Sequence, residues 1–108
     1  MAGDPGQASV VTTTVDGDDL VRVQGELDLV TADAVGRRLH AAIDSSTCRR
    51  VRLDLHQVRF IDASGLSVLL GAAAYARARQ CRWDVVGADP QVRRIIDITG
   101  TGQALGIV

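Results

Sequence analysis

The apolar positions near the start of the chain follow the period of β-strands. Residues 10–15 (VVTTTV) are β-branched throughout, which is typical of a strand. Residues 20–27 (LVRVQGEL) alternate, so their apolar side chains fall on one side and their polar side chains on the other. The intervening Asp-Gly favours a tight turn. The pattern therefore predicts an opening β-hairpin, preceded by a loose end at residues 1–9 that are small and polar.

The rest of the chain alternates between helical and strand periods. The pattern predicts a helix over 32–44, a strand over 50–55, a helix over 65–79 and a strand over 83–86. Thr31 is the predicted N-cap of the first helix. Asp89 and Pro90 predict the N-cap and first residue of a last helix, which Gly100 or Gly102 ends. We expect the apolar tail, including Leu105, Ile107 and Val108, to pack back onto the domain.

The order β-β-α-β-α-β-α predicts an α/β fold with one domain over residues 10–108. Strands buried on both faces read as continuous apolar runs. Here residues 20–27 and 50–55 alternate apolar with charged or amide side chains. We therefore expect a small mixed or parallel sheet with one partly solvated face and helices mainly on the other. A doubly wound sheet fits this alternation less well.

Composition narrows the functional classes. The 108 residues fit one domain, and 46% of them are hydrophobic, which is enough for a core. The net charge of −1 favours neither a nucleic-acid nor a membrane partner. Cys48 and Cys81 lack metal-site spacing, so no metal or cofactor is predicted, and free thiols suit a reduced compartment. With no export signal and no membrane-length apolar run, we expect a cytoplasmic protein.

Candidate chemistry is concentrated where predicted strands end. In parallel sheets, loops at the carboxyl ends of strands form sites, so residues 28–31, 62–65 and 87–89 are expected to gather there. Asp62 is the predicted N-cap of the helix over 65–79, and Ser64 lies beside it at the helix start. Capping alone explains one polar residue. It does not explain the small neighbours Ala63 and Gly65, which we expect to leave the Ser64 hydroxyl accessible to a large partner molecule.

Two other roles for Ser64 follow from its position. A catalytic serine at a strand-to-helix turn has the pattern G-x-S-x-G, but Asp62 and Leu66 stand where the glycines are needed. The two histidines, His40 and His56, are not placed by the sequence as a base for it. A phosphate site at the helix start is the third role. No nucleotide-binding glycine motif is present, and phosphate could instead arrive covalently, on Ser64 itself.

Two segments carry a resemblance to a known family. GELD at 25–28, followed by Thr31 and Ala32, is similar to the early G-E-L-D-x-x-[ST]-A segment of STAS domains. FIDASGL at 60–66 is similar to their F-[IM]-D-S-[ST]-G-L segment. Residues 10–108 thus resemble a STAS domain, specifically a bacterial anti-sigma factor antagonist, although the tail lacks the aromatic residues common there.

The resemblance implies a non-enzymatic switch. Such a protein binds an anti-sigma factor that is also a serine kinase, and the sigma factor is released. The kinase then phosphorylates the serine before the glycine, which is Ser64 here, and a phosphatase resets it. The phosphosite loop is Asp62, Ala63 and Gly65, and the partner interface is Asp28, Thr31 and Ser67. We expect the Ser67 hydroxyl to be less accessible than that of Ser64. A STAS scaffold or transport accessory module that no kinase regulates is the alternative, and the oligomeric state stays open.

Overall fold

The computed structural model describes residues 8–47 and 50–107. Within these residues the elements are β1 (Ala8–Val15), β2 (Asp18–Leu27), α1 (Ala32–Ser45), β3 (Arg50–Ile61), α2 (Ala63–Ala78), β4 (Arg82–Val86), α3 (Pro90–Thr99) and a short α4 (Gly102–Leu105). The predicted order is confirmed, with α4 as an addition. The strand β1 begins at Ala8. The first seven residues, Cys48 and Val108 lie outside the described residues.

The four strands form one mixed sheet in the order β1-β2-β3-β4. β1 pairs antiparallel with β2, and β2, β3 and β4 run parallel. The β1–β2 turn has Asp16 at φ 52° and Gly17 at φ 84°. Positive φ at both central residues is the requirement of the tight hairpin turn that Asp-Gly favours, so the predicted hairpin is confirmed.

The helices pack mainly on one face of the sheet, where the core lies. Valines and leucines from β2, β3 and β4 are fully or almost fully buried against α1 and α2. The opposite face carries charged side chains. On it Arg22 pairs with Asp54 at 3.3 Å and Arg50 pairs with Asp84 at 3.1 Å. These pairs confirm the prediction of one polar sheet face, because the alternating polar positions of β2, β3 and β4 all point to it.

β3 extends six residues beyond its predicted end at Leu55, so that boundary was wrong. The cause is irregular pairing with β2. Arg22 faces Asp54 but Gln24 faces Gln57, and a second register shift follows before Phe60. Each shift inserts an extra residue in β3, which breaks the two-residue period. The buried residues Leu55, Val58 and Ile61 are consequently three positions apart. The alternation that predicts a strand therefore stops at Leu55, although the strand continues.

The end of the domain docks as predicted. Asp89 caps α3 by accepting a hydrogen bond from the Val92 amide at 2.9 Å. Gly100 ends α3 at φ 66°, in the left-handed region that favours glycine. Leu105 is fully buried, and its carbonyl accepts a hydrogen bond from the Trp83 indole at 3.1 Å. Ile107 then bridges Val85 of β4.

The predicted helices over 32–44 and 65–79 are confirmed within two residues at each end. Their outer surfaces meet where the Tyr75 hydroxyl donates a hydrogen bond to Asp44 at 2.7 Å. This bond requires the protonated phenol and raises the pKa of Tyr75.

No helix within residues 8–47 and 50–107 has the length and apolarity to span a bilayer.

Candidate phosphorylation and partner-binding site

The site is formed where β2 and β3 end side by side. Leu27 pairs with Ile61, and the Asp62 amide donates a hydrogen bond to the Leu27 carbonyl at 3.1 Å. The loop after β2 and the start of α2 are therefore tied together by the backbone. Two of the three predicted loops meet here.

The third loop, residues 87–89, does not join them. β4 ends at Val86, which pairs with Asp54, well before the end of β3. A Cβ built on Gly87 would approach the Asp54 carboxylate and His56. The expectation that three loops gather was wrong, because β3 runs on past the end of β4.

Asp62 caps α2, as predicted. Its Oδ1 accepts a hydrogen bond from the Gly65 amide at 3.0 Å, and its carbonyl accepts the first helical bond, from Leu66, at 2.9 Å. α2 begins at Ala63, so Ser64 lies in the first turn. The amides of Ala63 and Ser64 precede the first helical hydrogen bond and have no partner inside the helix.

Gly65 has a different role from the one expected. It is buried, and a Cβ at this position would overlap the Leu27 carbonyl oxygen and come within 2.6 Å of the Leu27 Cβ. Glycine is therefore required because the start of α2 packs directly on the end of β2. The contact with Leu27 is thus a reason for glycine here that the sequence did not indicate, and clearance around the serine stays a prediction.

The exposure of the two serines also differs from expectation. Ser64 is half-buried, while Ala63 and Ser67 are exposed. One turn into α2, Ser67 lies on the solvent side of the helix. The expectation that Ser67 is less accessible was therefore wrong. Within the described residues no hydrogen bond to the Ser64 hydroxyl is formed, which leaves it available for chemistry.

Asp28 and Thr31 are directed inward and build the loop. The Thr31 hydroxyl donates a hydrogen bond to the Glu26 carbonyl at 2.7 Å and accepts one from the Asp28 amide at 3.0 Å. The Asp28 Oδ1 accepts from the amides of Val30 and Thr31 at 3.0 and 3.1 Å. Thr31 is only 6% exposed. Thr31 is the N-cap residue of α1, as predicted, but its side chain makes no capping hydrogen bond to the helix.

The loop presents an apolar pair that the sequence interpretation missed. Leu29 is 80% exposed and Val30 is 83% exposed, the highest values among the large hydrophobic residues described. The turn locked by Asp28 and Thr31 holds both side chains outward, in the loop that follows the contact of Leu27 with the start of α2. A signal was present in the sequence: two apolar residues between turn-forming residues, outside the helical pattern that begins at Ala32.

Removing the Thr31 hydroxyl should loosen this loop. We expect Thr31→Val to lower the free energy of unfolding by about 1–3 kcal/mol. Valine has nearly the shape of threonine, but it leaves the Glu26 carbonyl and the Asp28 amide without their buried hydrogen-bond partner. Thr31→Ser keeps the hydroxyl and should lose less. Chemical denaturation of the two variants measures this. Equal losses in both variants would show that the methyl group, not the hydroxyl, stabilises the loop.

The two histidines interact with parts of the structure other than Ser64. The His40 Nδ1 lies 2.8 Å from the Gly36 carbonyl oxygen, and its ring packs on Tyr75 with centroids 4.3 Å apart. His56 is exposed on β3. Across residues 8–47 and 50–107, no three His, Cys, Asp or Glu side chains come together as a metal site would require.

Comparison with known proteins agrees with this fold. The profile of the STAS domain matches residues 9–107. An anti-sigma F factor antagonist from Paenibacillus polymyxa is 35% identical over 81 residues, which cover 75% of this chain and 69% of that protein. The crystal structure of an anti-sigma factor antagonist from Mycobacterium paratuberculosis superposes with a TM-score of 0.80 at 29% identity, over 96% of this chain and 87% of that one.

A third structure is that of the Bacillus cell fate determinant SpoIIAA in its phosphorylated form. It has a TM-score of 0.66 at 20% identity and covers 93% of this chain and 91% of that one, which shows a common fold. The protein described here therefore belongs to the STAS domain family of anti-sigma factor antagonists.

Proposed function

We propose that this protein binds an anti-sigma factor that is also a serine kinase, and that phosphorylation of Ser64 ends the binding. The observation that carries the proposal is that the end of β2, which leads into the exposed pair Leu29 and Val30, packs on the first turn of α2, which contains Ser64. The names of the relatives supply the class of partner. A phosphatase acting on phosphoserine would return the protein to its binding form.

Local structure favours Ser64 over Ser67 as the acceptor. Ser64 lies in the turn of α2 whose first amides have no helical partner, whereas Ser67 lies one turn further along. A phosphate on Ser64 would accept hydrogen bonds from these amides and interact favourably with the helix dipole. The Asp62 carboxylate, which caps the same turn, opposes that charge. These effects partly cancel, so phosphorylation should change the fold little.

The phosphate would act on the interface instead. It adds about −1.5 to −2 charges at neutral pH. A partner that covers Leu29 and Val30 would also have to remove water from the phosphate nearby, and a buried charge without a partner is costly. A penalty of about 3 kcal/mol would lower the affinity about 100-fold. The apolar pair provides attraction in both states, and the phosphate decides whether it can be covered.

Immobilised Ser64→Ala protein should retain the kinase from a bacterial extract. With that kinase and ATP, the unmodified protein and Ser67→Ala should each take up one phosphate, and Ser64→Ala should take up none. Mass spectrometry of the peptides assigns the position. Ser64→Asp should bind the kinase about 100-fold more weakly than the unmodified protein, because it mimics part of the charge. Ser45→Asp, at the exposed far end of α1, is the matched control and should bind within a few-fold of the unmodified protein.

Phosphate found on Ser67 in the unmodified protein would refute the assignment of the acceptor. A chain that stays unlabelled with every kinase it retains would instead be a STAS interaction module without this switch.

A further inference from the structure

The two edges of the sheet differ in how the chain covers them. At the β4 edge, the segment after α4 returns, and the Val85 amide donates a hydrogen bond to the Gly106 carbonyl at 2.8 Å. At the other edge, β1 pairs with β2 alone among the described residues. Every second residue of β1 therefore directs its amide and carbonyl away from the sheet with no partner in residues 8–47 and 50–107.

β1 lacks the features that protect edge strands from pairing. Exposed edges are usually short, charged, interrupted by proline, or bent by a bulge. β1 is eight residues long, and its sequence ASVVTTTV contains neither a charge nor a proline. Its register with β2 is continuous from Ala8 to Val15, without a bulge. Its open-face side chains include Val11 and Val15, which are 55% and 48% exposed.

We infer that β1 is a homodimer interface, at which two copies of this chain pair their β1 strands antiparallel and join two four-stranded sheets into one. A second copy fits because the strand is uncharged, so no like charges meet when it faces itself. A twofold axis perpendicular to the sheet relates the strands and keeps the helical faces of both copies on the same side. The groove between α1 and β1 lies on that side, and its lining combines apolar residues such as Val10 and Ala42 with the charged residues Asp19 and Arg38.

Symmetry restricts the register. Residues that lie opposite each other in an antiparallel pair share a face of the sheet, and side chains alternate along a strand. The twofold axis must therefore pass midway between one residue and the same residue of the second copy. In the middle of β1 this residue is Val11 or Thr12. In the first register Val11 lies opposite Val11 of the second copy. In the second register Val11 lies opposite Thr13 of the second copy, and the two Val11 residues are diagonal neighbours. Both registers place the two Val11 side chains within reach of each other.

This interface is separate from the proposed phosphorylation site. β2 lies between β1 and β3, and Ser64 follows β3. In the antiparallel dimer the two Ser64 loops lie at opposite ends of the joined sheet, and the dimer does not depend on their phosphorylation.

Charge substitution at Val11 tests the inference in the full chain. Sedimentation velocity from micromolar to millimolar protein should show a monomer–dimer equilibrium. Val11→Lys and Val11→Glu should each weaken association about tenfold or more, because like charges face each other across the axis. An equimolar mixture of the two variants should associate more strongly than either alone. Ile98→Lys, at an exposed position on α3, should associate like the unmodified protein.

Hydrogen exchange gives a second readout. The outward amides of β1 should gain protection as the protein concentration rises, and those of β2 should not change. Thermal unfolding checks that each variant is folded, and a variant that unfolds is replaced by the same charge at Thr12, which is exposed and lies opposite or diagonal to its own copy in both registers. A monomer at all concentrations, Val11 variants that associate like the unmodified protein, or a mixture no stronger than its components would overturn the inference. So would protection of β1 only in the presence of a different protein.

Discussion

Replacing Leu29 and Val30 together by alanine should weaken the binding of the anti-sigma factor kinase about 100-fold and leave the fold intact. Both side chains are more than three-quarters exposed and contribute little to the core. Their removal therefore costs the free protein almost nothing. In the complex they would be covered, and burial of a leucine or valine side chain stabilises by about 1.5–3 kcal/mol each.

The expected size follows from two truncations. Alanine retains part of each side chain, so the pair should lose about 3 kcal/mol of binding free energy, equivalent to about 100-fold in Kd. Such apolar anchors dominate many interfaces, while the polar groups around them contribute less. Titration calorimetry with the purified kinase measures the effect, and circular dichroism checks the fold.

Ile98→Ala is the matched control for this prediction. Ile98 is 73% exposed but lies on α3, away from the ends of β2 and β3. This variant should bind the kinase as tightly as the unmodified protein. Binding that is unchanged in the Leu29 and Val30 variant would contradict the proposed interface, and an equal loss in the Ile98 variant would indicate nonspecific hydrophobic contact.

Gly65→Ala should destabilise the protein and impair the switch at the same time. The new methyl group would meet the Leu27 backbone, which cannot move away as a flexible side chain would. We expect a loss of about 1–3 kcal/mol in the free energy of unfolding, the usual cost of overpacking. Because relief of the clash would displace the start of α2 from the end of β2, Ser64 should also be phosphorylated more slowly.

The same helix contains an internal control. Gly71 is exposed in the middle of α2, and a Cβ there meets no other atom within 4 Å. Gly71→Ala should therefore stabilise the protein by about 0.5–1 kcal/mol, since alanine favours the helix over glycine. Denaturant melts of the two variants should move in opposite directions. If both were stabilised, the close contact between Gly65 and Leu27 would not exist in solution.

Local features of this protein were predictable from its sequence. Asp62 and Asp89 cap their helices because each cap involves only the next three residues. The Asp16-Gly17 turn and the polar face of the sheet follow in the same way, from residues adjacent in the chain or spaced by two. The similarity of two short segments to STAS domains identified the family and agrees with the fold.

Contacts between distant segments were not predictable, because no local period records them. Thr31 is the N-cap residue of α1, but its hydroxyl donates to the Glu26 carbonyl of β2 and makes no bond to the helix. The length of β3 depends on two register shifts against β2, which break its own alternation.

The sequence by itself determined the order of the elements, the polar sheet face and the position of Ser64 at a helix start, since each depends on spacing along the chain. Only the tertiary structure decided why residue 65 is glycine and which apolar side chains of the β2–α1 loop are exposed. Gly65 is needed because the Leu27 backbone packs directly against it and leaves no room for a Cβ. Leu29 and Val30 face outward because Asp28 and Thr31 use their polar groups to close the loop beneath them.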